Sequence, residues 1–215
     1  MINNNFSEFQ LLSDLNLSEE IKSIIDEIKS VCQLNLASGP VIAGGAVTYC
    51  AESYFRRPNW FPNDIDITCC TLEQFERTHE ILKKISLSFE AGPSIKPLIK
   101  PYDFLNHTMN GYTIQLINSP GLVVKSWSQR VDYTICGGYT NGIYAMIPFN
   151  TQFDIQNKVL KEVSNNTTKQ RIERYGFEEI KNRYQKYINR GYVDHEQIIF
   201  NKLKLYESQV NVNNK

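Results

Sequence analysis

The sequence predicts an α+β fold, a mixed β-sheet flanked by helices, with a small helical region at its C-terminal end. Two patterns and one bound carry that expectation. Up to about residue 150, short apolar or alternating runs of strand length are interleaved with amphipathic stretches of helix length. Beyond that point helical periodicity takes over. The chain has 215 residues, 41% of them hydrophobic and 21% charged, enough to bury a full core without disulfide staples. The expected organisation is a 1–150 unit and a helical 151–215 region that can pack on it.

Residues 18–34 read as a helix. Ser18 can cap it, Glu19 and Glu20 suit the positive end of its dipole, and Ile21, Ile24, Ile25, Ile28, Val31 and Cys32 form one stripe. Pro40 to Ala43 is a short strand, broken by Gly44-Gly45, and Ala46 to Phe55 is the next helix. Arg56 to Asn63, with two prolines and two asparagines, is a loop. Asp64 to Cys70 alternates as a strand. Thr71 and Gln74 form a capping box that opens a helix through Phe75, His79 and Leu82. Residues 86–117 hold short strands broken at Gly92-Pro93, Pro97, Pro101 and Asn110-Gly111, the clearest being Tyr112 to Ile117. Val131 to Cys136 reads as a strand ended by Gly137-Gly138, and Tyr144 to Ile147 as another. In the C-terminal region Ile180, Tyr184, Tyr187 and Ile188 share one helix face.

Charge narrows the function classes. The 23 basic and 23 acidic residues cancel, which argues against coating nucleic acid through bulk charge. The cancellation hides a polarity: residues 1–30 carry a formal −4 and residues 169–190 a formal +4. No run approaches the length of a membrane span, and Met1 to Gln10 is polar and Asn-rich, unlike a signal peptide. Five cysteines (Cys32, Cys50, Cys69, Cys70, Cys136) occur without C-x-x-C, and none of the three histidines is spaced to join them on zinc. They are expected to be reduced, buried thiols of a cytoplasmic protein.

The informative chemistry lies in Gly44-Gly45, Asp64-Ile65-Asp66-Ile67 and Asp132. Residues i and i+2 of a strand point to one face, so Asp64 and Asp66 stand side by side while Ile65 and Ile67 enter a core. Adjacent carboxylates repel, and a hard divalent cation such as Mg²⁺ relieves them. Asp132 is the candidate third carboxylate of a two-metal site. The Gly-Gly turn between strand and helix lets backbone N–H groups approach an anion. Neither G-x-G-x-x-G nor a P-loop lysine is present. Arg56 and Arg57, in the loop before Asp64, can reach triphosphate oxygens or end a solvated loop. Trp60 and Phe61 can stack a base or pack in the core. Arg171, Arg174, Arg183, Lys186 and Arg190, interleaved with Tyr175, Tyr184, Tyr187 and Tyr192, can bind an RNA acceptor or form a solvated helix face.

Val41-Ile42-Ala43-Gly44-Gly45-Ala46-Val47 followed by Asn63-Asp64-Ile65-Asp66-Ile67 resembles the head of the DNA polymerase beta-like nucleotidyltransferases. The branch it is most similar to is that of poly(A) polymerases and tRNA CCA-adding enzymes, whose R-R-D segment is matched by Arg130-Val131-Asp132-Tyr133-Thr134-Ile135. Small phage- and virus-encoded proteins of this type have a similar layout, which implies host cytoplasm if this chain is one of them. The resemblance covers about residues 38–138. It implies a nucleotidyltransferase fold and transfer of a nucleotide from an NTP to an acceptor hydroxyl, with RNA or tRNA as a candidate acceptor. It also implies Mg²⁺ (or Mn²⁺) on Asp64 and Asp66, and a nucleotide held by Gly44, Gly45 and Arg130. Asp132 is then either a third metal ligand or a ribose contact.

Three departures stand out: eighteen residues separate Gly45 from Asp64, Val131 replaces the second arginine, and Gln115 lies on the strand where the branch carries an acid. Other readings are a non-catalytic RNA- or protein-binding module and a toxin-like transferase acting on tRNA or protein.

Overall fold

The computed structural model describes residues 9–12, 18–91, 104–165 and 167–213. The expected breaks at Gly92-Pro93, Pro97 and Pro101 lie outside the described residues. The elements run β1 (Phe9–Leu12), α1 (Glu19–Val31), β2 (Val41–Ala43), α2 (Gly45–Phe55), β3 (Asp64–Cys69), α3 (Leu72–Ile85), β4 (Ser88–Ala91), β5 (Phe104–Met109), β6 (Tyr112–Asn118), β7 (Tyr139–Thr140), β8 (Ala145–Pro148), α4 (Phe149–Gln156), α5 (Thr167–Tyr175), α6 (Phe177–Asn189) and α7 (Ile198–Asn213). One eight-stranded sheet has the order β1-β8-β7-β2-β3-β6-β5-β4. It is mixed: β3 and β6 run parallel and the other neighbours antiparallel. The predicted α+β class is the observed one.

Local chemistry explains the element ends. The Ser18 side chain accepts from the Ile21 N–H, as an N-cap should. Thr71 Oγ1 accepts from the Gln74 N–H at 3.1 Å, but Gln74 Oε1 reaches one residue further back than a capping box requires, to the Cys70 N–H at 2.8 Å. Ile65 and Ile67 of β3, Leu105, His107 and Met109 of β5, and Ile114 and Leu116 of β6 are all buried, the period of two expected of half-buried strands. Helix α2 is different: residues 46–53 are all buried, because it is enclosed between the sheet and the C-terminal region. One hydrophobic cluster runs from Ile21 through Ile42, Ile65 and Leu116 to Ile172, Tyr187, Tyr192 and Leu203, so both ends of the chain share a core. All five cysteines are free thiols, four of them buried.

Two expectations need correction. Val131 to Cys136 is not a sheet strand. Tyr133 makes an isolated bridge to Glu162, and Thr134 to Cys136 is a 3₁₀ turn. The alternation is real, since Val131, Tyr133 and Ile135 are buried, but the segment lies against residues 161–163. Hydrogen bonds of 2.6 Å from Thr134 Oγ1 to Asp154 and from Thr151 Oγ1 to the Thr134 carbonyl bend it there. The polar, Asn-rich start also hid β1, which pairs with β8 as an edge strand.

Candidate active site

Strand register assembles the site. Antiparallel pairing sets Ala43 opposite Asp66, so the chain leaving β2 turns over the acid pair at Gly44. Gly44 is the N-cap of α2, with φ +69° and ψ −144°, a conformation that is essentially restricted to glycine. A Cβ at Gly44 would lie 2.3 Å from Asp66 Oδ2, so the position has no room for a side chain. The first N–H groups of α2 therefore open beside Asp66 and present the positive end of the helix.

Asp64 and Asp66 are both partly buried and lie on the face of β3 opposite Ile65 and Ile67. Neither carboxylate forms a salt bridge among the described residues. Loss of solvent, with the neighbouring Asp64 charge, pushes the Asp66 carboxyl up to about 7, while Lys186 and Arg183 pull the other way. Two crowded, unpaired carboxylates are the oxygen donor set that Mg²⁺ takes together with phosphate oxygens.

The expected third acid is held by two arginines. Asp132 Oδ1 lies 2.6 Å from Arg171 Nε and Asp132 Oδ2 lies 2.8 Å from Arg183 Nη1, so both oxygens are held by guanidinium groups. Among the described residues no group of three or more acids, histidines or cysteines is arranged around a common metal position. The strand beside β3 contributes Gln115, directly across from Asp66 in the parallel register, and its amide donates to Asn106 Oδ1 at 3.3 Å.

The predicted nucleotide-binding arginines divide. Arg56 donates to the carbonyls of Ile155 and Gln156 at the end of α4, where a helix C-terminus attracts a cation. That tie engages the guanidinium that was expected to reach phosphate. Arg57 and Arg130 are exposed. Trp60 is buried rather than open to a base: its indole N–H donates to Glu52 at 3.2 Å. Phe61 is exposed and stacks on Tyr49.

The predicted acceptor-binding cations also divide. Arg171 and Arg183 serve Asp132, and Arg174 is exposed beside Tyr175. Arg190 is 6% exposed, its guanidinium stacked 3.8 Å from the centre of Trp60, so it does not stand on a solvated face. Arg183, Lys186 and Arg190 recur at helical spacing beside buried Tyr187, a pattern already present in the sequence.

A buried knot that sequence reasoning missed joins the two ends of the chain. Glu52, 1% exposed, receives the Tyr192 hydroxyl at 2.9 Å, the Trp60 indole and the Lys158 ammonium. A glutamate inside an apolar helix was the available signal. A groove of about 420 Å³ lined by Tyr184, Ile188, Tyr192, Asp194 and Phe200 contains neither acid of the pair.

No family model and no curated sequence matches the chain. Among solved structures it is similar to a CCA-adding enzyme in apo form I, with 16% identity, 74% of this chain and 38% of that chain covered, and a TM-score of 0.52. It is also similar to a tRNA-processing enzyme in apo form I, at 14% identity, 70% and 38% coverage and a TM-score of 0.50. The chain thus shares the fold of these two enzymes over the matched residues. This chain spans 38% of the length of each of those chains.

Proposed function

We propose that the protein is a nucleotidyltransferase that moves a nucleotide from an NTP to an acceptor hydroxyl and releases pyrophosphate. The observation that carries this reading is the fit of Gly44 against Asp66: an unpaired acid pair and a helix N-terminus share one small space. The oxygen-only pair suits magnesium or manganese, and Asp64 and Asp66 would be its protein ligands. Magnesium bound there supplies Lewis-acid polarisation of the phosphate oxygens. The N–H groups at Gly44 and Gly45 bind phosphate. The acceptor oxygen forms a bond to the α-phosphorus, the bond from that phosphorus to the bridging oxygen of pyrophosphate breaks, and the hydroxyl proton passes to solvent.

Asp132 acts through Arg183, which it orients and which lies within electrostatic reach of Asp66. RNA, with tRNA as its most specific form, is the proposed acceptor, supported by the local +4 charge and exposed Arg174. Five free cysteines suit the cytoplasm. A non-catalytic binding module is the second reading, favoured by Gln115 opposite Asp66 and by the engagement of Asp132 with two arginines. Incubation with each labelled NTP, Mg²⁺ or Mn²⁺ and total RNA separates the readings. Label appearing in an RNA fraction identifies the acceptor, and label that stays in NTP under every condition favours the binding module.

A further inference from the structure

We propose that Arg190, assisted by Lys186, holds the phosphate chain of the substrate against the Gly44-Gly45 turn. This deepens the nucleotidyltransferase reading and rests on it. Arg190 follows α6 as its C-cap, far from the glycine turn in sequence, yet its Nη1 would lie 4.0 Å from a Cβ placed on Gly45. The missing side chain of Gly45 therefore leaves the guanidinium facing the first turn of α2.

The same Nη1 is buried and has no hydrogen-bond partner among the described residues. A buried donor left unpaired costs free energy, more so on a charged group, and such a group calls for an explanation. Burial draws the Arg190 pKa below its ordinary value, and Asp64 is among the groups that oppose this. An anion between Nη1 and the α2 N–H groups would satisfy both sets of donors. A phosphate suits them best, because the planar guanidinium presents parallel N–H groups to two of its oxygens.

The surroundings fix the arginine for that task. Its guanidinium carbon lies over Trp60, 3.8 Å from the ring centre, and 5.3 Å from the centre of Tyr187, and Trp60 is itself held by Glu52. Lys186, one turn earlier on the same flank, forms no salt bridge among the described residues and lies close enough to lower the Asp66 pKa. The inward flank of α6 thus faces the glycine turn through Arg190 and the acid pair through the charge of Lys186. A triphosphate with its metal would match both signs of charge at once.

Calorimetric titration of inorganic tripolyphosphate and of the four NTPs, each with Mg²⁺, tests this on the full chain. Wild type should bind tripolyphosphate. Arg190→Met keeps an apolar stem over Trp60, and should weaken binding about 10- to 100-fold, the range for losing a charged hydrogen bond. Arg190→Lys should recover part of the loss, and Lys84→Met, an exposed control, none of it lost. If Arg190→Met does not fold, Trp127→Phe leaves Trp60 as the sole tryptophan, and tripolyphosphate should shift its emission. Equal binding by wild type and Arg190→Met, or a Trp60 signal indifferent to bound tripolyphosphate, overturns the role of Arg190 and leaves the nucleotidyltransferase reading standing. Failure of wild type to bind tripolyphosphate or any NTP overturns both.

Discussion

Gly44 and Asp66 occupy one space: the Cβ that any other residue would carry at position 44 falls 2.3 Å from Asp66 Oδ2. The turn and the acid therefore depend on each other. Gly44→Ala should displace the carboxylate and force a residue with a side chain into a conformation that costs about 1–3 kcal/mol. The expected result is a lower unfolding midpoint together with lost binding of Mg²⁺ and NTP. An alanine variant with wild-type stability and wild-type NTP affinity would show that the close approach has no consequence.

Asp66→Asn keeps the size of the side chain and removes one of two repelling charges. The variant should melt at or above the wild-type temperature, the relief being of the order of 1 kcal/mol at solvent-like dielectric. Metal should act unequally on the two proteins. At Mg²⁺ about 100 times its dissociation constant, wild type should gain roughly 2.7 kcal/mol, and Asp66→Asn much less. Melting curves with and without Mg²⁺ and NTP check both halves.

Much of this was legible in the sequence. The acid pair and the glycine turn follow from the period of a strand and from a Gly-Gly break, both local patterns. Ser18, Thr71 and the alternation of Asp64 to Cys70 are local as well, and their elements are found there, the strand ending one residue earlier at Cys69. What failed was non-local. Val131 to Cys136 has the period of a strand, but its partner is residues 161–163, and no local pattern states which partner an alternating segment takes. Arg190 and Arg183 read as free surface cations because arginine is mostly exposed. Trp60 covers Arg190 and Asp132 pairs with Arg183, both partners distant in sequence.

Glu52 should be the anchor between α2 and the C-terminal region. Glu52→Ala leaves the half-buried Lys158 ammonium, the Tyr192 hydroxyl and the Trp60 indole without their acceptor. Removing one partner of a buried ion pair typically costs about 3–5 kcal/mol. Urea unfolding should show a loss of that order, with an earlier change at Trp60. A loss below about 1 kcal/mol, the size of an exposed pair, would remove the anchor role.

His107 gives the protein an acid sensitivity separate from the carboxylates. It is fully buried, 3.1 Å from His79 Nδ1 and 3.2 Å from Ser86 Oγ, and burial followed by the charge of His79 lowers its pKa from 6.5 to about 4. Between those values the unfolded chain binds a proton that the folded chain refuses. Its contribution is therefore complete above pH 6.5 and is lost as pH falls towards 4, with an upper bound of about 3 kcal/mol. Unfolding free energies of wild type and His107→Gln, measured from pH 7.5 to 4.5, should differ less at each step down. A constant difference across the range would contradict the assignment.

Nucleotidyl transfer at the acid pair is tested most directly by following the two ends of the triphosphate. The protein is incubated with Mg²⁺, total RNA and an NTP labelled on the α-phosphorus or, in parallel, on the γ-phosphorus. The expected result is that α-label enters the acceptor, γ-label leaves as pyrophosphate, and Asp66→Asn does neither while remaining folded. Transfer of the γ-label to the acceptor, or equal transfer of α-label by wild type and Asp66→Asn, would contradict it.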